Sequence, residues 1–234
     1  MENCPLIIWI NLDRAEERRQ KMIDQLEHHH LRHHRITAID GSDKQLLDNM
    51  MVYSKMPKIS RLQYACTMSH LLAHKYLLDF THEESALIME DDTSFEFLDK
   101  WPKPISTVIS EKPSDCDILQ LAYNIGGVHV IGTGKRHYIP QRGISSTLCY
   151  LITRKGARKL VSTFYPGEKF LFPPHKNPHF YVADVGLYKS VVSYTYIWAL
   201  FTYPDNGDSQ INRKNKTHQR AKIISKRIYQ MLSG

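Results

Sequence analysis

The stretch PLIIWINL, residues 5–12, is an apolar run rich in β-forming side chains, and it is predicted to be a strand. Asp13 and Glu16 follow at the spacing of a capping box, ahead of an amphipathic helical pattern. A second β-rich run covers residues 35–40 and ends in an Asp-Gly turn. A strand, a helix and another strand in succession predict a βαβ unit and therefore a parallel sheet.

The rest of the chain continues this alternation of strands and helices. Ser60 and Gln63 form a second capping box, which begins a predicted helix that runs to about residue 80. Further strands are predicted at 86–90, 117–123, 148–152 and 194–201, further helices at 154–164 and 220–232, a hairpin or loop at 126–143, and irregular chain at 43–58 and 165–178. The pattern predicts an α/β fold with a Rossmann-like, mostly parallel central sheet flanked by helices.

Composition and charge describe a globular body with a basic end. Of the 234 residues, 42% are hydrophobic and 24% are charged, which argues against a disordered chain. The net charge of +7 equals the seven Lys and Arg residues of segment 209–234, which contains no acid. We predict one domain over residues 1–212 and a basic tail with a helix over 213–234, docked on the domain or extending from it. Such a tail can favour nucleic acid, an anionic membrane surface or a phosphorylated ligand.

The sequence also predicts a cytoplasmic protein. The first residues lack the positive charge of a secretory signal, and no apolar run reaches the length of a membrane span. The four cysteines form no Cys-x-x-Cys pair and no dense framework, which favours a reducing compartment. Peripheral membrane contact through the basic tail is left open.

The segment ALIMEDD, residues 86–92, is the strongest local signal for chemistry. An apolar strand delivers Glu90, Asp91 and Asp92 at its C-terminal end, the edge at which open α/β sheets bind ligands. Alternation along an extended chain places Glu90 and Asp92 on the same side. Hard oxygen ligands in this arrangement suit Mg²⁺ or Mn²⁺. The alternative is a solvated turn after a buried strand.

Two weaker sequence patterns are each open to two interpretations. Arg18 and Arg19 follow the first strand near a helix start, where they can hold a phosphate or lie in solvent. Cys66, His70 and His74 share one helix face, as in a zinc site, although a core-facing histidine is the preferred interpretation.

Six motifs, in order over about residues 5–210, resemble glycosyltransferase family 25. They are INLDR (10–14), AIDG (38–41), ACTMSH (65–70), LIMEDD (87–92), DILQL (117–121) and YLITRKGA (150–157). The resemblance implies a GT-A-type fold, a nucleotide-sugar donor, Mn²⁺ or Mg²⁺, and inverting transfer to a saccharide or a hydroxylated side chain. UDP-galactose is the favoured donor and UDP-glucose the next.

The resemblance also implies roles for individual residues of the acidic motif. Asp92 would bind the metal that bridges the donor diphosphate. Glu90 would bind the same metal through water or hold the ribose, and Asp91 belongs to the same cofactor-binding element. A bound dication would stabilise the charge that develops on the leaving diphosphate.

Four more residues match family motifs that face the donor. Asn11 and Arg14 would line the nucleotide pocket, and Ser69 and His70 would lie beside the donor. Ser145 and Ser146, which precede a strand as in the family, are expected to contact the sugar.

An inverting displacement needs a base for the acceptor hydroxyl. Asp184 is the preferred base, because its apolar neighbours would raise its pKa. The alternative role for Asp184 is to cap a helix over 185–191. Asp208 and Asp205 are the next candidates for the base, and His179 and His218 are weaker candidates for extra metal ligands.

Two other functions compete with sugar transfer. The basic tail would suit a nucleic-acid or anionic-surface binding module, but the neutral body and the lack of an RNA-binding motif disfavour nucleic acid. The acidic triplet would suit a metal-dependent phosphohydrolase, although two-metal hydrolases need more ligands per site.

Overall fold

The structure, a computed structural model, describes most of the chain. The described residues are 3–53, 59–123, 137–141, 143, 146–173, 175–204 and 217–232.

The first elements form the predicted βαβ unit. Strand β1 (Ile7–Asn11) is buried throughout, helix α1 (Glu16–His28) follows, and β2 (His33–Thr37) pairs with β1 in parallel. The side chains of Met22 and Leu26 are buried on the inner face of α1, as its amphipathic pattern requires.

The predicted capping box at the start of α1 is wrong. Ala15 occupies the N-cap position, and no side chain caps the helix. The carboxylate of Asp13 instead pairs with the guanidinium of Arg35 on β2, and this hydrogen bond lowers the pKa of Asp13. A long-range partner on the neighbouring strand therefore replaces the local cap.

The prediction of a loop over 43–58 is wrong in its first part. Helix α2 (Lys44–Met50) starts where the Asp43 carboxylate accepts a hydrogen bond from the amide of Leu46 at 2.9 Å. Strand β3 (Met51–Tyr53) follows and pairs in parallel with β8 (Phe170–Phe172) in a small second sheet. The same pairing corrects the prediction of irregular chain over 165–178.

Helix α3 (Arg61–Phe80) and strand β4 (Ser85–Glu90) agree with the prediction. The side chains of Ser60 and Gln63 form the expected capping box. Strand β4 lies beside β1 in parallel, with Ile10 opposite Glu90. The C-terminal ends of β1 and β4 therefore meet at one edge of the sheet.

The remaining elements complete the sheet and its two helical layers. They are α4 (Ile105–Ser110), β5 (Ile118–Gln120), β6 (Tyr138–Pro140), β7 (Cys149–Thr153), α5 (Arg154–Phe164), α6 (Ala183–Lys189), β9 (Ser193–Tyr196), α7 (Thr217–Leu232) and 3₁₀ turns at Leu98–Lys100 and Pro178–Tyr181. The main sheet has the order β2-β1-β4-β7-β5-β9-β6, and β7 and β6 run against the other five strands. The predicted α/β class with a mostly parallel sheet is confirmed.

Successive side chains of β1 point alternately into the two layers of the core. Ile7 and Trp9 face the layer formed by α1, α4 and α7, whereas Ile8 and Ile10 face α3, α5 and α6.

Helix α7 packs its apolar side against the first of these layers. Ala221, Ile228 and Tyr229 are buried in the core, and the Tyr229 hydroxyl donates to the carbonyl of Ala199 at 3.1 Å. Lys222 is only 4% exposed and pairs with Glu96. No helix within the described ranges combines the length and the apolar content that crossing a bilayer requires.

Arg154, the first residue of α5, holds the C-terminal end of α3. Its guanidinium donates to the carbonyls of Leu77, Leu78, Thr81 and Glu83 at 2.7 to 3.2 Å. The last carbonyls of a helix have no partner within the helix and carry partial negative charge, so a cation is favourable there.

We expect Arg154→Met to lower the free energy of unfolding by about 3 kcal/mol, because several carbonyls lose a charged donor while the apolar stem is kept. Urea denaturation measures the loss. Arg158→Met, at an exposed position of the same helix, is the matched control and should change stability little. Equal stabilities for the two variants would show that the Arg154 contacts contribute nothing.

Candidate functional site

A cleft opens at the edge of the sheet where β1 and β4 end. Its empty volume, which includes space open to solvent, is about 740 Å³. Its walls come from the end of β1, the start of α1, the segment after β2, one face of α3 and the chain after β4. The predicted residues that line it are Asn11, Arg14, Ser69, His70, Glu90, Asp91 and Asp92.

The acidic triplet forms one wall of the cleft, with a guanidinium beside it. Arg18 reaches from α1 to Oδ1 of Asp91 at 2.7 Å and to Oδ2 of Asp92 at 2.5 Å. Asp92 is buried, with 7% of its surface exposed. Of the two interpretations left open for Arg18, the position in solvent is wrong, because two carboxylates hold its side chain in the cleft.

Asn11 connects β1 to the triplet. Its side-chain amide donates to Oδ2 of Asp91 at 2.6 Å, and its carbonyl oxygen accepts from Arg35 at 3.0 Å. Burial chiefly, together with the charges of Asp92 and Glu90, raises the pKa of Asp91 to about 6. Because this pKa exceeds the ordinary value of 3.8, ionisation of Asp91 destabilises the fold as the pH rises from about 4 to about 6.

Glu90 is held at one carboxylate oxygen. Thr147 donates to Oε1 at 2.7 Å, and Nε2 of His70 lies 3.5 Å from the same oxygen. Burial opposes ionisation, but the contacts with His70 and Thr147 and the charge of Arg18 outweigh it and lower the pKa of Glu90. Glu90 is therefore an anion at neutral pH.

Cys66 lies beside His70 and Glu90, and the ligand atoms of the three residues are within 4.8 Å of one another. Burial, followed by the charges of Glu90 and Asp184, raises the pKa of the Cys66 thiol well above its usual range. His74, the third member of the zinc alternative, is not part of this group, and its Nε2 lies 2.7 Å from the hydroxyl oxygen of Tyr150.

Ser69 and Arg14 shape the opposite wall. The hydroxyl of Ser69 accepts a hydrogen bond from the amide of Ile39 at 2.9 Å and donates to the carbonyl of Ala65 at 2.7 Å, which ties the segment after β2 to α3. Arg14 pairs with Asp40 at the mouth of the cleft and is half exposed.

The comparison with protein families identifies the family of the chain that forms this cleft. The model described as "Glycosyltransferase family 25 (LPS biosynthesis protein)" matches residues 5–170, which contain the whole cleft. The chain belongs to glycosyltransferase family 25. It is a glycosyltransferase, as predicted, and the family's description places it with proteins of lipopolysaccharide biosynthesis.

Solved structures show a more distant likeness. The chain is similar to A197 from STIV, with 11% identity over 85% of this chain and 83% of that chain and a TM-score of 0.40. It is similar to a glycosyltransferase involved in the glycosylation of the major capsid of PBCV-1, with 12% identity over 90% of this chain and 98% of that chain and a TM-score of 0.40. It is also similar to the galactosyltransferase LgtC, with 13% identity over 97% of this chain and 95% of that chain and a TM-score of 0.36. No curated protein matches the chain.

Asp184, the predicted base of this family 25 protein, lies half-buried in the first turn of α6. The alternative prediction that it caps the helix is wrong, because Val182 occupies the N-cap position. Ala183 and Leu187 of α6 pack in the same core layer as Ile10 and Ala65, which line the cleft, so Asp184 lies on the same side of the sheet as the cleft.

Ser146, predicted to contact the sugar, has a φ of 144°, which residues with a side chain rarely adopt. Its carbonyl accepts from Tyr188 at 2.5 Å and from Gln120 at 3.0 Å, and these bonds hold the strained backbone beside Thr147. Contact between the Ser146 hydroxyl and a sugar stays a prediction.

Several other predicted residues do not lie in the part of the chain that the structure describes. Asp205, Asp208, Ser145 and the side chain of His218 are among them. His179 is described, and it is exposed in the 3₁₀ turn before α6.

Proposed function

We propose that this family 25 enzyme transfers a hexose, with galactose favoured, from a UDP-sugar to a hydroxyl group of a saccharide acceptor, and that the transfer inverts the anomeric carbon. The observation that carries the proposal is the line of carboxylates at the end of β4, which forms a wall of the cleft together with polar side chains from β1 and α3. Family membership and the topology of the sheet also support a GT-A-type fold.

The cleft offers complementary groups for a nucleoside diphosphate. Arg14 and Arg18 supply guanidinium groups, which bind phosphate oxygens in a fixed, two-pronged geometry. Asn11, Ser69 and His70 add polar atoms on the walls beside them. Arg18 already contacts Asp91 and Asp92, so it links the phosphate end of the donor to the acidic triplet.

A divalent cation fits the donor set of this wall. Glu90 and Asp92 line the cleft and offer hard oxygen ligands, as Mn²⁺ and Mg²⁺ require. A cation bound there would also favour the ionised form of Asp91, which the fold otherwise disfavours below about pH 6. When bound, the ion would stabilise negative charge on the departing diphosphate.

We assign Asp184 as the base that accepts the proton of the acceptor hydroxyl. The support is its half-buried position on α6, which packs in the core layer on the cleft side of the sheet. Gly186 lets α6 approach the preceding turn, because a Cβ at this position would lie 2.1 Å from the carbonyl oxygen of Phe180. This close packing fixes the first turn of α6 and with it Asp184. Asp208 remains the alternative base.

Helix α7 bears on the competing proposal of an anionic-surface module. Its side chains Ala221, Ile228 and Tyr229 are buried in the core, whereas Ile223 is exposed. Among the described side chains of α7, the exposed cations that could meet a membrane surface or a nucleic acid are Arg220, Lys226 and Arg227. This favours sugar transfer over insertion of α7 into a bilayer. A cytoplasmic location is part of the proposal and rests on composition.

The test is a thermal-shift panel of nucleotide sugars with and without Mn²⁺. A ligand at one hundred times its Kd stabilises the native state by about 2.7 kcal/mol, which corresponds to a Tm increase of roughly 5–10 °C for a chain of this size. We expect the largest increase with UDP-galactose and Mn²⁺ together. An unchanged Tm with every nucleotide sugar would refute the proposal. In a separate activity assay, hydrolysis of the donor without transfer to a saccharide acceptor would support the phosphohydrolase instead.

A further inference from the structure

A chain of buried polar groups runs from the core to the acidic wall of the cleft. Nε2 of His74 lies 2.7 Å from the hydroxyl oxygen of Tyr150, and that oxygen lies 3.1 Å from Nδ1 of His70. Nε2 of His70 then lies 3.5 Å from Oε1 of Glu90. We call His74, Tyr150 and His70 the polar chain. All three side chains are buried, and none of these contacts is explained by secondary structure.

The protonation states of the two inner members are fixed by burial. Burial chiefly lowers the pKa of His74 to about 3, so its imidazole is neutral and carries one proton. Burial chiefly raises the pKa of Tyr150 well above its usual range, so the phenol keeps its hydrogen. Tyr150 can therefore donate to one histidine while it accepts from the other.

The hydrogen bonds of the polar chain can then run in either of two directions. In the first, His74 donates from Nε2 to Tyr150, and Tyr150 donates to Nδ1 of His70. In the second, His70 donates from Nδ1, Tyr150 donates to His74, and the proton of His74 must lie on its Nδ1. That nitrogen is buried and has no hydrogen-bond partner among the described residues. A buried N–H without an acceptor is rare and costly, so the inner end favours the first direction.

The outer end favours the same direction. In the first arrangement Nδ1 of His70 accepts from Tyr150, so the ring proton lies on Nε2, which faces the Glu90 carboxylate at 3.5 Å. In the second, a bare nitrogen lone pair would face that anion. Thr147 donates to the same Oε1 at 2.7 Å. Both described contacts of the Glu90 carboxylate therefore fall on one oxygen.

We propose that Tyr150 and His74 are positioning residues that hold His70 with its proton on Nε2, so that His70 and Thr147 fix Oε1 of Glu90 and Oε2 is left for a ligand in the cleft. The part that concerns the ligand rests on the proposed function. The tautomer of His70 does not, because it follows from contacts inside the protein. The outer partners of metal-binding side chains commonly affect binding by 10–100-fold.

The tautomer is measured by long-range ¹H–¹⁵N spectra of the full chain labelled with ¹⁵N-histidine, with His70 assigned by the loss of its signals in His70→Gln. We expect the Nε2–H tautomer in the wild type and its loss in Tyr150→Phe. The matched control is Tyr64→Phe, which removes another buried tyrosine hydroxyl, one with no hydrogen-bond partner among the described residues. A wild-type His70 with its proton on Nδ1 would overturn the proposal without any variant.

Binding of Mn²⁺ and UDP is measured by calorimetry on the same proteins. We expect Tyr150→Phe to weaken binding by 10–100-fold and Tyr64→Phe to leave it unchanged. Unchanged tautomer and affinity in a folded Tyr150→Phe would also overturn the proposal. If the wild type shows the expected tautomer but binds neither Mn²⁺ nor UDP, the polar chain stands as described and the proposed function fails.

Discussion

Replacing Asp184 by asparagine is expected to lower kcat by 10²–10⁴-fold while the KM for the donor stays the same. Asparagine has nearly the same shape but cannot accept the proton of the acceptor hydroxyl. The donor does not depend on that proton, so its binding should be retained. Steady-state transfer from UDP-galactose, measured with saturating Mn²⁺, gives both constants.

The control for this variant is Asp115→Asn, at an exposed carboxylate that contacts Tyr194. It should behave as the wild type. Full activity in Asp184→Asn would remove Asp184 from the role of base, and Asp208→Asn and Asp205→Asn would then be compared in the same assay.

The second large effect is expected for Asp92→Asn, which should lose the stimulation of transfer by Mn²⁺, with turnover reduced by roughly 10²–10³-fold. The amide keeps the volume of the buried side chain but removes the charge that would hold the cation. Arg18 keeps its contact with Asp91, so the fold should be retained. Titration of activity with Mn²⁺, together with a urea melt, separates loss of the metal from loss of the fold.

Asp79→Asn serves as the control for Asp92→Asn, because Asp79 pairs only with Lys75 on the exposed side of α3 among the contacts described. Exposed pairs of this kind contribute little. Wild-type Mn²⁺ dependence in Asp92→Asn would exclude this carboxylate as a metal ligand.

The elements that could be predicted from the sequence are those whose signals are local. The run 5–12 and the capping box of Ser60 and Gln63 each specify an element through residues that are close in sequence. Strands β3 and β8 carry no such signal, because each has three residues and its pairing partner is distant in sequence. The predicted capping box at the start of α1 was wrong because Asp13 forms an ion pair with Arg35 on the next strand instead of capping the helix.

In the candidate site, too, some contacts could be predicted from the sequence and others depend on long-range packing. The carboxylates of residues 90–92 and the amide of Asn11 could be predicted to meet, because parallel strands end at the same edge of a sheet. Thr147 could not, since it reaches Glu90 from the start of β7, an antiparallel strand whose place in the sheet the sequence does not reveal. The role of Arg18 was also undecided, because its partners Asp91 and Asp92 follow a different strand.

The position of α7 has a consequence for how the protein is made. Ala221, Ile228 and Tyr229 complete one of the two core layers, yet they are synthesised after every strand they cover. The layer around α3 is translated earlier and can form while the chain is still growing. The other layer must keep apolar surface such as Trp198 and Phe97 exposed until α7 emerges from the ribosome. During that interval the nascent chain is a natural client for chaperones.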